Sequence, residues 1–217
     1  MKPYSHFVIA AQFEEMVRPA VPEEYYWGAV APDMRFFAGI PRERTHLPPD
    51  EILRFREKYP HLDSFVRGYL VHCLTDVVDT RALLRERIVL RPFLRRASIH
   101  FITTIIEAFY LEHIAVHKPV SGKANEMLQE FGILPEHLEK EVGLMKSYLE
   151  KPDLKTNLAY VKSGANRGLL SHAKELESIQ TNPLVKPLWF GLADFDRLNR
   201  QALSQVCATA AFGQICG

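Results

Sequence analysis

Apolar residues recur along most of the chain at spacings of three and four, which is the period of a helix with one buried face. The chain has no sustained apolar–polar alternation and none of the Asn-Gly or Asp-Gly turns typical of β-hairpins. Ser5 has the side chain of an N-cap, and prolines bound several later segments. We therefore expect an all-α fold in one multi-helix domain over 1–217. The pattern predicts helices over about 6–18, 50–58, 62–86, 93–117, 123–131, 136–150, 154–178 and 192–211.

A stretch rich in proline and glycine covers residues 28–49 and separates the first two predicted helices. Clusters of these two residue types are typical of turns, so we predict an irregular loop here. Long structureless loops inside compact domains tend to be functional. The segment 28–49 is therefore a candidate for part of a binding or catalytic site.

The predicted helix 62–86 has a polar stripe opposite a broad apolar arc. The stripe contains His72, Asp76 and Asp79, together with two aromatic residues. A solvated helix face would carry lysine, glutamate and glutamine instead. The pattern indicates a helix that is buried nearly all round, whose polar stripe needs partners inside the protein.

His72 and Asp76 are four residues apart, so their side chains leave adjacent turns of one helix face. A neutral imidazole and a carboxylate at this spacing can bind one divalent ion of the zinc class. The same spacing also suits a hydrogen-bonded pair that satisfies a buried histidine without any metal. The pair alone does not distinguish these two interpretations, and other segments must be considered.

Three further segments supply candidate ligands in chain order. His6 lies at the start of the first apolar helix, Asp33 ends Gly-Ala-Val-Ala-Pro-Asp, and His46 follows a threonine. The next motif is Gly-Tyr-Leu-Val-His72-Cys-Leu-Thr-Asp76. In order and spacing, this series resembles the zinc-dependent phospholipase C family. The resemblance extends over somewhat more than a third of the chain.

The resemblance implies an all-α protein of the phospholipase C and nuclease-like type, with zinc ions at the bottom of a cleft. Family members hydrolyse phosphodiesters of phospholipids, and related nucleases cut nucleic acids. By position, His46, His72 and Asp76 would bind one zinc ion, and Asp33 would complete or flank it. His6 would serve a neighbouring zinc ion, which Asp76 could bridge. Residues beyond about 120 would complete the helical fold.

The chemistry expected of such a site is metal-assisted hydrolysis. Two cations about 3.5–4 Å apart can share a hydroxide and stabilise both the attacking and the leaving oxygen of a phosphoryl transfer. Asp33 or Asp79 could accept the proton of the water as a catalytic base. Arg35, Arg42 and Arg44 follow Asp33 and could bind phosphate oxygens of the substrate. A solvated loop would contain the same three arginines.

Two features depart from the family pattern. Secreted family enzymes use a mature N-terminal tryptophan as a zinc ligand, whereas residue 1 here is Met. Their later ligands include a histidine followed four residues on by glutamate, but His100 is followed at that offset by Thr104. Glu107 lies seven residues from His100, about 10 Å along a helix. His100 and Glu107 are therefore additional candidates that could border the site, and we expect one or two zinc ions.

Composition indicates which partners and which cellular location to expect. The formal net charge is +1, with no clear basic patch for nucleic acid. Three cysteines are too few for a disulfide framework, and we see neither a signal peptide nor a transmembrane segment. We expect a cytoplasmic protein. The apolar tail from Cys207 to Gly217 has no charged residue, so it could pack onto the core or onto a partner, or be a processed end.

These observations leave three functional hypotheses. The first is a zinc-dependent hydrolase of a phosphoester, such as an intracellular phosphodiester in a small molecule or a lipid headgroup. The second is a non-catalytic helical binding or structural protein that keeps a metal site. The third is an iron-dependent tailoring oxidase on the same scaffold, because His and carboxylate clusters on helices also bind iron. We rank them in that order.

Overall fold

The computed structural model describes residues 3–78, 99–163, 174–175, 177–179, 182 and 195–216. Within these ranges the chain forms helices and no strand, so the predicted all-α class is confirmed. The α-helices are α1 (Pro3–Val17), α2 (Pro22–Val30), α3 (Arg35–Ala38), α4 (Pro49–Lys58), α5 (Asp63–Asp76), α6 (Ile99–His113), α7 (Glu126–Glu130), α8 (Pro135–Glu150), α9 (Leu154–Ser163), α10 (Phe195–Cys207) and α11 (Ala210–Gly213).

The predicted loop over 28–49 is wrong in its first part. Helix α2 covers Pro22–Val30, a 3-10 turn covers Ala31–Met34, and the short helix α3 follows. Pro22 begins α2 and Pro32 lies in the first turn of the 3-10 element, because proline is tolerated in the first turn of a helix, where its missing N–H is not needed. Gly39 then ends α3 in the left-handed conformation, at φ 67°.

Several predicted helix boundaries also move. Ser5 is not an N-cap, because α1 begins at Pro3 and Ser5 lies inside its first turn. Helix α5 ends at Asp76, and residues from 79 onward in the predicted helix 62–86 lie outside the described residues. Helix α6 ends at His113, before the predicted end at 117. The predicted last helix is divided into α10 and α11, because Thr209 caps α11 through its hydroxyl oxygen.

Helix α5 is the centre of the described fold and contacts α1, α2 and α4. From Ser64 to Thr75 every residue except Arg67 is buried, as the pattern of the sequence predicted. The closest packing is against α2, where a Cβ atom at Gly68 would lie 1.9 Å from the Tyr25 carbonyl oxygen. A Cβ at Gly28 would lie 2.0 Å from the Phe65 carbonyl oxygen. The two glycines therefore allow α2 and α5 to touch backbone to backbone.

The C-terminal tail packs onto the core, which is one of the outcomes that the sequence leaves open. Phe212 is buried against Phe13 of α1, with ring centroids 4.7 Å apart, and Ile215 is also buried. Arg67 of α5 donates to the carbonyl oxygens of Val17 and Ile215. These contacts join the end of the chain to the end of α1 and to α5.

Among the described residues, none of the helices combines the length and the apolar composition that a crossing of the bilayer requires.

Candidate metal centre

The five predicted metal ligands come together from four separate segments. His6 is on α1, Asp33 is in the 3-10 turn Ala31–Met34, His46 follows the 3-10 turn Arg42–Arg44, and α5 carries the other two. The residues form two triads, and inside each triad the donor atoms lie within 4.8 Å of one another. His72 belongs to both triads. The triads are His46, His72 and Asp76, and His6, Asp33 and His72.

The first triad has the dimensions of a zinc site. His46 Nε2 lies 3.1 Å from Asp76 Oδ2 and 3.2 Å from His72 Nε2. His72 Nε2 lies 3.9 Å from Asp76 Oδ2. Two ligand atoms bound tetrahedrally at about 2.0–2.1 Å from one ion lie about 3.3–3.4 Å apart. The three measured separations scatter around this value, so one zinc ion fits among these atoms.

Asp76 also faces the second triad with its other carboxylate oxygen. His6 Nε2 lies 3.1 Å from Asp76 Oδ1. The two atoms are close but not aligned for a hydrogen bond, and within the described ranges neither ring nitrogen of His6 has a hydrogen-bond partner. A buried imidazole whose nitrogens make no well-aligned hydrogen bond is costly, and a bound cation would satisfy it. Asp76 thus directs Oδ1 to His6 and Oδ2 toward His46 and His72.

Backbone and hydroxyl groups fix the orientation of the two imidazoles in the first triad. His72 Nδ1 donates to the Ala29 carbonyl oxygen at 2.8 Å, which leaves the lone pair of Nε2 to face the triad. His46 Nδ1 contacts Thr45 Oγ1 at 3.0 Å, and this hydroxyl donates to the Arg42 carbonyl oxygen. Such outer contacts are typical of metal-binding histidines.

The position of His46 depends on α5 as well. The hydroxyl group of Tyr69 donates to the carbonyl oxygen of Thr45 at 2.6 Å, and both residues are buried. This hydrogen bond holds the segment before His46 against the helix that carries His72 and Asp76. Three of the candidate ligands are therefore positioned from one helix.

Burial determines the protonation of the cluster. It lowers the pKa of both His6 and His72 to about 3, so both rings are neutral at neutral pH. Burial alone would raise the pKa of Asp76, but the positive charge of the chain's N-terminus, together with His6 and His46, outweighs it and holds that pKa well below its ordinary value. Neutral imidazoles and an ionised carboxylate are the protonation states that a divalent metal requires.

The three predicted substrate-binding arginines lie at different places around the cluster. Arg42 contacts Asp76 Oδ2 through Nη2 at 2.7 Å while its side chain is 47% exposed. Arg35 is half-buried with its guanidinium over the ring of Phe36, and its Nε has no hydrogen-bond partner within the described ranges. Arg44 is exposed, and its guanidinium lies beside Gly132. Arg42 is thus in direct contact with a candidate ligand.

Asp33, one of the two predicted catalytic bases, is buried within the second triad. The other, Asp79, lies outside the described residues, as does the side chain of His100. Glu107 is buried, and its oxygens accept hydrogen bonds from the first turn of α1. One of these donors is the N–H of Ser5, the residue directly before His6, so Glu107 contacts the chain next to the cluster.

Sequence reasoning missed the groups that orient the ligands. The Ala29 carbonyl belongs to the main chain, so no residue type could have signalled it. Thr45 directly precedes His46, and a hydroxyl beside a candidate ligand was the available signal. The contact of Glu107 with α1 joins residues about a hundred positions apart and has no local signature.

Comparisons with known proteins give no relative from which a role could be transferred. Neither the protein-family models, nor the curated proteins, nor the solved structures contain a match to this chain. The functional interpretation therefore depends on the geometry and chemistry of the cluster itself.

Proposed function

We propose that this protein is a zinc-dependent hydrolase of a phosphoester, with a phosphodiester as its first candidate substrate. One observation supports the proposal most: Asp76 presents one oxygen to His6 and the other to His46 and His72. This arrangement suits two divalent ions that share a carboxylate, which is the constellation of two-metal phosphoesterases. The resemblance of the ligand series to zinc-dependent phospholipase C agrees with it.

His46, His72 and Asp76 would hold one zinc ion, and His6, Asp33 and the shared Asp76 would hold a second. Bound zinc would supply a Lewis acid for phosphoryl oxygens and a water of lowered pKa. Asp33 is buried beside both histidines of its triad, where its carboxylate could orient this water and accept a proton.

Arg42 and Arg35 would bind the phosphate group of the substrate. The Arg42 guanidinium contacts Asp76, and the Arg42 side chain is partly exposed to solvent. Arg42 therefore lies at the boundary between the cluster and solvent. Among the described residues, no group accepts from the Nε–H of Arg35, and an anionic oxygen of the substrate could do so. Arg44 would extend the same positive rim from its exposed position.

The test is metal content per chain, measured by mass spectrometry on gently purified protein. We expect one or two zinc ions in the wild type, with marked loss in His72→Ala and in Asp76→Ala. His61→Ala is the matched control, because His61 also contacts a carboxylate at 3.2 Å but is exposed and belongs to neither triad. Hydrolysis of bis(p-nitrophenyl) phosphate by the zinc-loaded protein then tests the reaction.

Other results would identify the alternatives. Iron in place of zinc would favour an oxidase, because zinc has no redox chemistry. No metal after reconstitution would leave a non-catalytic helical protein. That second candidate has one observation in its favour: Arg42 already gives the Asp76 carboxylate a counter-charge within the chain, at 2.7 Å.

A further inference from the structure

Glu107 of α6 is buried, and both oxygens of its carboxylate are occupied by donors. Oε2 accepts from the Ser5 N–H at 2.7 Å and from the Ser5 hydroxyl. Oε1 accepts from the Tyr4 N–H at 3.0 Å and from the Tyr148 hydroxyl at 2.6 Å. Three of the four donors belong to the first turn of α1.

The first turn of a helix has N–H groups with no partner inside the helix, and a nearby side chain or water usually satisfies them. Here the carboxylate of another helix takes this role, at the end of α1 where the helix dipole favours negative charge. Glu107 therefore fixes the beginning of α1 relative to α6. The residue held most firmly is Ser5, through both its backbone and its side chain.

Ser5 directly precedes His6, whose ring is buried in the candidate metal centre. The ring of His6 stacks on that of His72, and within the described ranges its nitrogens have no hydrogen-bond partner. The His6 ring also lies close to Asp76, with Nε2 3.1 Å from Oδ1. Its place is determined by this contact, by the stacking on His72 and by the backbone of α1, which Glu107 holds.

We propose that Glu107 is a positioning residue that sets His6 as a metal ligand, although it binds no metal itself. This inference rests on the proposed function, since it assumes that His6 binds an ion. It distinguishes the two ions: the one at His6 depends on Glu107, whereas the one at His46, His72 and Asp76 does not. Second-layer substitutions of this kind commonly weaken metal binding by about 10–100-fold.

The test compares zinc titrations of wild type, Glu107→Gln and His6→Ala. In Glu107→Gln, either orientation of the new amide would turn its NH2 group toward one of the two backbone N–H groups of α1, so the hold on α1 is weakened with little change in size. Tyr148→Phe is the control, because it removes one donor from Glu107 and leaves the contacts with α1 in place. We expect Glu107→Gln to reproduce the loss seen in His6→Ala, and Tyr148→Phe to bind as wild type does.

Zinc binding by Glu107→Gln equal to that of wild type, in a chain where His6→Ala weakens it, would overturn the inference while the proposed function stood. Equal weakening of both ions by Glu107→Gln would also overturn it, since a general loss of structure has that effect. Loss of the His6-dependent ion alone would support it.

The imidazole NMR resonances give a readout without metal. We expect the signals of His6 and His72 to move in Glu107→Gln and to stay in place in Tyr148→Phe. Wild-type protein that takes up no metal would refute the proposed function, whereas unmoved His6 signals in Glu107→Gln would refute the positioning role. The two failures are therefore distinguishable.

Discussion

The imidazole rings of His6 and His72 are stacked, with their centroids 3.6 Å apart and their planes 19° from parallel. One ring belongs to α1 and the other to α5, so the stack joins the first helix of the chain to the central one. Two protonated imidazoles at this distance would repel each other strongly inside the protein. Burial lowers the pKa of each ring to about 3, so both are neutral at neutral pH and can act as bases toward a cation.

The first prediction concerns Arg42, whose guanidinium competes with a metal for Asp76 Oδ2. Replacing it in Arg42→Gln removes a positive charge beside the candidate site, so we expect zinc affinity to rise by up to about tenfold. We expect inhibition by inorganic phosphate to weaken in the same variant. Isothermal titration calorimetry measures the affinity for zinc and for phosphate.

Arg54→Gln is the control for Arg42, since Arg54 is 74% exposed and its ion pair with Asp50, at 3.9 Å, lies on the surface. We expect no change in zinc affinity in that variant. Lower zinc affinity in Arg42→Gln would contradict the prediction and would mean that the guanidinium orients Asp76 for the metal.

The second prediction concerns the contact between α2 and α5 at Gly68. In Gly68→Ala the new methyl group would lie 1.9 Å from the Tyr25 carbonyl oxygen, a backbone atom that cannot rotate away. We expect a loss of about 3 kcal/mol or more in the free energy of unfolding, because the two helices must separate. Urea denaturation measures it.

Gly143→Ala provides the opposite result as a control. Gly143 lies inside α8, and a Cβ atom there would meet nothing within 4 Å. Alanine has the higher helix propensity, so we expect a gain of about 0.5–1 kcal/mol. Similar effects of the two alanines would show that α2 and α5 do not touch as described.

The third prediction concerns Asp63, which joins the two arginines that hold the C-terminal tail. Its oxygens accept from Arg56 Nε and Arg67 Nε, each at 2.7 Å. These arginines in turn donate to the carbonyl oxygens of Gln214 and Ile215. We expect Asp63→Asn to lower the free energy of unfolding by about 1–2 kcal/mol and to hasten proteolysis of the tail.

Asp50→Asn is the matched control for Asp63, because the ion pair of Asp50 with Arg54 is exposed. Its expected effect is about 0.5 kcal/mol or less. Unchanged proteolysis of the tail in Asp63→Asn would contradict the role given to this carboxylate.

The fourth prediction is a pH dependence at Glu14. Burial alone would raise the pKa of Glu14, but hydrogen bonds from Lys118 and Tyr26 outweigh it and lower that pKa. A lowered folded pKa stabilises the protein above the ordinary value of 4.5, and this stabilisation is lost as the pH falls through the folded pKa. We therefore expect wild type and Glu14→Gln to differ most near neutral pH and to converge in acid.

Urea denaturation of both proteins between neutral pH and the acid limit of folding measures this difference. Glu15→Gln, on the exposed side of the same helix, is the control for the loss of one negative charge. A constant difference between Glu14→Gln and wild type across the range would contradict the prediction.

Much of the helical architecture could be predicted from the sequence, because long segments such as α5 and α8 have a clear apolar period. The region after Pro22 could not, because prolines there begin short helices and the same residues are typical of loops. The packing of the C-terminal tail could not be predicted either, since the contacts that hold it come from Arg56 and Arg67, far away in the chain.

The candidate site, too, could be predicted only in part from the sequence. His72 and Asp76 were recognisable from their spacing on one helix, and the other candidate ligands from their order along the chain. The structure brings them together, while their binding of zinc stays a prediction. The contact between Arg42 and Asp76 and the hold of Glu107 on α1 depend on tertiary packing, which no local pattern of residues encodes.

The carbonyl group that orients His72 belongs to the main chain of Ala29, in the last turn of α2. Carbonyl groups at the end of a helix lack the usual N–H partner and are free to accept from a side chain. Because every amino acid carries the same carbonyl, no substitution at position 29 removes this acceptor. A substitution of Ala29 therefore keeps the acceptor that fixes the tautomer of His72. Only a mutation that displaces helix α2 would remove it.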